Sequence, residues 1–149
     1  MGIQELGTEY EASPQEHVRR QVAEYEASRG TRANTMKGLP IVVVTMRGAR
    51  SGKVRKVPLM RVEHDGTYVA VASQGGAPRH PQWYHNLLAH PEVLVQDGAE
   101  VVAARARVVT GPERVQWWER SVAAFPNYAD YQNRTEREIP VFLLEPTGE

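Results

Sequence analysis

The 149-residue chain has no cysteine, which excludes disulfides, thiolate zinc sites, iron–sulfur clusters and thiol nucleophiles. Neither sign of charge is in excess, with 18 Lys and Arg against 18 Asp and Glu. A dedicated nucleic-acid binder draws its affinity from a basic surplus, so none is expected and any basic site must be local. No apolar run approaches the ~20 residues that cross a bilayer, and the opening MGIQELGTEYEASPQEH lacks the basic and apolar blocks of a secretory signal. The expectation is a soluble, cytoplasmic protein without a transmembrane segment. There is no internal repeat, low-complexity stretch or linker, and the length suits one domain.

Hydrolytic and metal motifs are missing too. The five histidines, at 17, 64, 80, 85 and 90, form no HExxH pattern, and the spacing of His80 and His85 predicts side chains on different faces of a helix. No GxSxG elbow is present, and Asp130 and Glu136 form no recognisable acid and base pair.

What is present divides into a polar lead-in over residues 1–12, read as flexible, and a single domain over 13–149. Ser13-Pro14-Gln15-Glu16 predicts a helix start with a hydroxyl cap, and Gly30 predicts its end. Val18, Val22 and Tyr25 give that helix a narrow apolar stripe. From Pro40 β-branched residues take over: IVVVT, VRKVPLMRVEHD and GTYVAVAS read as strands, with His64-Asp65-Gly66 as a hairpin turn. PQWYHNLLAH reads as a short helix with Trp83, Leu87 and Leu88 on one side. VLVQ and VVAARARVV flank a turn at Asp97-Gly98. PERVQWWERSVAAF and NYADYQNR read as helices, and IPVFLLEP as the last strand. Hairpin joints without crossover helices point to a mainly β, α+β fold, a small barrel of about six mostly antiparallel strands. An incompletely closed barrel would also favour pairing with a second copy, so a monomer or homodimer is expected.

The stretch RGARSGKVRKVPL, from Arg47 to Leu59, packs five Lys or Arg into thirteen positions of a neutral chain. It fails as a nucleotide-hydrolase phosphate loop: the spacing is one residue short, Val54 follows Lys53 where a hydroxyl is needed, and a strand follows where a helix is required. As an anion cradle it is coherent, because two glycines let amides approach an oxyanion while Ser51, Arg50, Lys53 and Arg55 surround the charge. A solvated hairpin loop is the competing reading. No aromatic residues interleave with the block to stack on bases. A second cluster, Ala72-Ser73-Gln74-Gly75-Gly76, ends a strand with small residues that let a flat ring lie against backbone. Trp83, Tyr84 and Asn86 follow on the next helix. Together the clusters suit a phosphate-bearing planar ligand.

The segments GARSGKVRKVPL, VASQGGAPRHPQWYHNL and FPNYADYQNRTEREIPVFLLEP, read together, resemble the deazaflavin-dependent nitroreductase family of actinobacteria over about Pro40 to Pro146. The resemblance implies a split β-barrel related to flavin-binding oxidases. It also implies coenzyme F420, an 8-hydroxy-5-deazaflavin with a phosphate and an oligoglutamate tail. By position, it assigns Arg50, Ser51, Lys53 and Arg55 to the phosphate and tail. Pro58, Ala72, Ser73, Gln74, Gly75, Gly76 and Asn86 fall to the ring, with Trp83 and Tyr84 in support. Phe125, Tyr128 and Tyr131 would roof the substrate side. Ser73, Tyr128 and Tyr131 are the candidates for orienting the acceptor or delivering its proton. Gln74 stands where drug-activating members carry lysine, and Phe125 where they carry tyrosine. With a charged first helix, these departures weigh against nitroimidazole activation and leave only weak membrane association open. The implied reaction is hydride transfer from reduced F420 to an electron-poor acceptor such as a quinone, an enone or a nitro compound. FMN on the same barrel, or a non-catalytic F420 or anionic-ligand carrier or sensor, are the alternatives.

Overall fold

The apolar stripe of the first helix finds its partner in a curled sheet. The structure, a computed structural model, describes residues 9–148, so the first eight residues of the expected lead-in lie outside the described residues. Helix α1 (Glu16–Ala27) is followed by β1 (Thr35–Met36), β2 (Leu39–Arg47), β3 (Val54–Met60), β4 (Glu63–His64) and β5 (Thr67–Val71). A 3-10 turn (Gln74–Gly76) leads to α2 (Gln82–Ala89), β6 (Glu92–Asp97) and β7 (Glu100–Val108). Helices α3 (Gly111–Ala124) and α4 (Asn127–Asn133) precede β8 (Val141–Pro146).

All named strands pair antiparallel in the order β1-β2-β6-β7-β8-β5-β4, with β3 on β2. The six expected strands are there, and two two-residue strands join them. The unforeseen β1 owes its existence to Lys37-Gly38, where both residues take positive φ (51° and 76°), the geometry of a tight hairpin whose twist matches its strands. Asp65-Gly66 does the same between β4 and β5. Asp97 instead ends β6 and faces Glu100 across the sheet, so that turn is Gly98-Ala99.

Strand β2 is buried on both faces, which is why IVVVT reads as an unbroken apolar run. Its Val42, Val44 and Met46 join Val93, Val95, Ala104, Ala106, Phe142 and Leu144 in one core, closed by Trp83 and Leu87 of α2. Ile41 and Val43 belong to the other core, covered by Val22 and Tyr25 of α1, Trp117 of α3 and Tyr128 of α4. Two local readings fail. Leu88 is 53% exposed, because helical twist carries it away from the Trp83 and Leu87 side. The Ser13 cap does not form either: α1 begins at Glu16, and Ser13 Oγ accepts from the Gln15 amide (3.2 Å). Proline at 14 favours extended backbone at 13, and the chain there is still approaching the sheet. No helix among the described residues is long and apolar enough to cross a membrane.

Tyr25 fastens α1 to the sheet through its hydroxyl, which accepts from the Gly98 amide (2.7 Å) and donates to the Gln96 carbonyl (3.2 Å). Its ring is 1% exposed. Tyr25→Phe keeps the packing and removes these bonds, so denaturant unfolding should show a loss of about 1 to 2 kcal/mol.

Candidate functional site

Edge strand β3 organises the site. It pairs along one side with β2, and on its other side, among the described residues, only Val54 carries a bridge, to Tyr10. Proline is tolerated on such an edge because its missing amide costs no ladder bond, and Pro58 sits here opposite Val43. Val57, Pro58, Leu59 and Met60 are thereby left to line a cavity.

The loop joining β2 to β3 closes on itself: the Gly48 amide donates to the Lys53 carbonyl (2.8 Å) and the Gly52 amide to the Gly48 carbonyl (3.0 Å). A Cβ on Gly48 would lie 2.8 Å from Ser51 Oγ, so a side chain there would turn the Ser51 hydroxyl aside. Asn86 of α2 ties it down by accepting from the Ala49 amide (2.9 Å). The Arg50 and Ser51 amides donate to nothing among the described residues. Two open amides beside cationic side chains make a concavity chemically suited to an anion. Arg50 has no ion pair among the described residues, whereas Lys53 meets Glu9 (3.4 Å) and Arg55 meets Glu11 (3.0 Å).

Opposite β3 stands the wall made by residues 72–77. Gln74, Gly75 and Gly76 all have positive φ (45°, 64° and 83°), and for the non-glycine Gln74 this costs about 1 to 2 kcal/mol. Arg137 holds the turn in place. Its guanidinium donates to the carbonyls of Ala72 (3.1 Å), Ser73 (2.8 Å) and Ala77 (2.9 Å), and Nη1 lies 2.9 Å from His80 Nδ1. The acceptors are neutral, and burial holds the Arg137 pKa below the usual guanidinium range. Gly76 packs against α4, where a Cβ would come within 2.6 Å of the Tyr131 carbonyl. The Gln74 and Gly75 amides donate to nothing among the described residues.

Three cavities follow one another along β3. The first, about 220 Å³, is lined by Glu11, Gly48, Ala49, Arg50, Ser51, Arg55, Gln82 and Asn86. The second, about 400 Å³, shares Arg55, Gln82 and Asn86 with the first and Met36, Val57, Pro58 and Trp83 with the third. The third, about 290 Å³, adds Ser73, Gln74, Phe125, Tyr128 and Tyr131. Shared walls make this one continuous cleft. Phe125, Tyr128 and Tyr131 contact one another edge to face, with centroids 4.9 to 6.3 Å apart. The Ser73, Tyr128 and Tyr131 hydroxyls have no hydrogen-bond partner among the described residues. Burial, and then Tyr131, push the Tyr128 pKa up, so it remains a proton donor at neutral pH.

Of the residues singled out from sequence, Arg50, Ser51, Arg55, Pro58, Ser73, Gln74, Trp83, Asn86, Phe125, Tyr128 and Tyr131 line this cleft. Lys53, Ala72, Gly75, Gly76 and Tyr84 do not. Ala72 and Gly76 shape the turn behind the wall, and Tyr84 packs on Phe142 and stacks on His80 at 4.1 Å. His80 and His85 meet edge to face at 6.4 Å, contrary to the helical-spacing argument, because His80 precedes α2 and is not on its wheel. No group of metal-ligating side chains exists among the described residues. Sequence reasoning missed Arg137, Gln82, Met36 and Lys37; the Lys37-Gly38 pair was the one visible signal among them.

The open antiparallel barrel with a cleft along one edge strand defines a split-barrel protein. Residues 17–146 match the F420H(2)-dependent quinone reductase family. A Mycobacterium tuberculosis relative is 35% identical over 114 residues, which cover 76% of this chain and 96% of that protein. An F420H(2)-dependent quinone reductase of the same species is 33% identical over 124 residues, covering 80% and 83%. Among solved structures, an F420-H2 dependent reductase, FDR-A, superposes with a TM-score of 0.68 at 55% identity, covering 71% of this chain and 94% of that one. The chain belongs to the F420H(2)-dependent quinone reductase family, which makes it an oxidoreductase with F420 as its cofactor.

Burial first, then the Arg137 charge and His85, lower the His80 pKa from its ordinary value. Folding therefore favours the neutral ring, and this contribution is present above the ordinary histidine value and lost as pH falls from there through the lowered folded value. Arg137→Met should raise the His80 pKa part of the way back, as read by NMR titration of the imidazole.

Proposed function

We propose that the chain transfers a hydride from reduced F420 to a quinone bound beneath Phe125, Tyr128 and Tyr131, with the cofactor's tail on the Arg47–Leu59 loop. The observation that carries this is the continuity of the cleft, which runs from a cationic, amide-rich end to an apolar, hydroxyl-bearing one. The donor set fits the group. Arg50, Arg55, Ser51 and the open loop amides suit a phosphate and carboxylates. A planar ring suits the space between Pro58 and the 72–76 wall, where Gln74 and Gly75 amides stand ready for ring heteroatoms. Family membership favours F420 over FMN.

Bound reduced F420 supplies the hydride from C5 of its ring. The protein's part is placement. Trp83 and Pro58 would hold the ring against the wall that Arg137 braces, and Phe125, Val71 and Met60 would exclude water from the acceptor. Hydride addition leaves negative charge on a quinone oxygen. The Tyr128 and Tyr131 phenols and the Ser73 hydroxyl, each with a free proton to donate, are suited to stabilise that oxygen and to deliver the proton that completes the quinol. No covalent catalyst is needed. A homodimer is in keeping with the relative described as a domain-swapped dimer, which is 49% identical with a TM-score of 0.71 and covers 85% of this chain and 96% of that one.

Fluorescence-quenching titration with F420 should saturate at far lower concentration than with FMN. Comparable or tighter FMN binding would reject the cofactor assignment. Arg50→Ala should weaken F420 binding by about 1.5 to 3 kcal/mol, the scale of a charge-assisted hydrogen bond. Tyr131→Ala should slow quinone turnover while leaving F420 affinity nearly unchanged.

Lys37 gives the acceptor end its only formal charge and has no ion pair among the described residues. Lys37→Glu should raise the KM for a naphthoquinone bearing a carboxyalkyl side chain by roughly three- to tenfold. The methyl ester of that quinone should be little affected.

A further inference from the structure

The cationic loop is already engaged by carboxylates of its own chain. Residues 9–11 run beside the start of β3: the Val54 amide donates to the Glu9 carbonyl (2.8 Å) and the Glu11 amide to the Val54 carbonyl (2.9 Å). In an extended segment alternate side chains fall on the same side. Glu9 and Glu11 accordingly both reach the loop, at Lys53 Nζ (3.4 Å) and Arg55 Nη1 (3.0 Å). Tyr10, between them, lies with its ring 5.0 Å from Lys56 Nζ. Glu11 also lines the cavity it shares with Arg50, Ser51 and Arg55.

Two peptide-borne carboxylates on a pair of cations reproduce the chemistry of an oligoglutamate tail on the same cations. We propose that Glu9 and Glu11 are internal competitors for the anionic tail of the cofactor, so that they set its affinity and the protein's preference for tailed over tailless rings. This rests on the reading of the loop as the tail site. A ligand that reaches Lys53 and Arg55 must displace the carboxylates, and its apparent dissociation constant is the intrinsic one divided by the fraction of molecules in which they have let go. A ring without a tail leaves the strap where it is. The Lys53–Glu9 pair is exposed and the Arg55–Glu11 pair partly so, so the effect is modest, roughly three- to tenfold for the two together.

The test uses the full chain as wild type, Glu11→Gln, Glu9→Gln/Glu11→Gln and Arg50→Ala. Each is titrated by fluorescence quenching with F420 and with the same deazaflavin ring lacking phosphate and glutamates. F420 should bind more tightly to Glu11→Gln and more tightly still to the double variant, while the tailless ring binds all the glutamine variants like wild type. Arg50→Ala should bind F420 more weakly. If Arg50→Ala weakens F420 binding but the glutamine variants do not strengthen it, the competition is disproved and the tail site stands. If Arg50→Ala leaves F420 binding unchanged, the tail site itself falls and the inference with it. Equal tightening of both ligands would also overturn the inference, since it would mean that the strap acts on the ring pocket.

Discussion

A strand that pairs with a full neighbour on one side and, among the described residues, is bonded on the other only at its first residue governs this molecule. Because β3 pairs with β2 and the sheet does not close beyond it, its free edge must face either water or another group. Pro58 in mid-strand makes a second strand unwelcome there, since it offers no amide to a ladder. The result is a long cleft walled by β3 on one side and by the 72–76 turn, α2 and α4 on the other. The first residues of the described chain use the same edge, bonding to Val54 where the strand begins. Ligand cleft and N-terminal strap are two consequences of one incomplete sheet.

The opposite wall depends on a single guanidinium. A turn with three successive left-handed residues is not stable by its own propensity, and Arg137 supplies the donors that hold its carbonyls. The next turn of chain supports α4 as well, with Gln132 donating to the Arg137 carbonyl (2.8 Å) and accepting from the Ile139 amide (2.9 Å). The 72–76 turn and the aromatic cluster of α4 are thus fixed from a common anchor. In such a frame the cofactor's chemistry needs little from the protein beyond placement, a dry acceptor pocket and hydroxyls with protons to give.

Much of this was legible locally. IVVVT announced a strand, Asp65-Gly66 announced the hairpin between β4 and β5, and the crowding of Arg50, Lys53 and Arg55 in a neutral chain marked a candidate anion site. Reading by period failed where the chain leaves regular structure. His80 meets His85 from outside the helix, and Leu88 lies off the stripe that Trp83 and Leu87 share. Arg137 was invisible because its partners are backbone carbonyls some 60 residues upstream, and carbonyls carry no sequence signature. Glu9 and Glu11 belong to the lead-in read as flexible, and only the strand edge brings them to Lys53 and Arg55.

By itself the sequence determined most of the strand and helix content, the neutral background against which one basic loop stands out, and the glycines and prolines that set the turns and the edge strand. These follow from interactions within a few residues, where spacing along the chain equals spacing in space. The tertiary structure alone decided that the basic loop, the left-handed turn and the aromatic roof border one continuous cleft. It also decided that Lys53 and Arg55 meet carboxylates while Arg50 does not. Those outcomes depend on the curl of a sheet whose strands are ordered β2-β6-β7-β8-β5, and contacts across that curl leave no periodic mark in the chain.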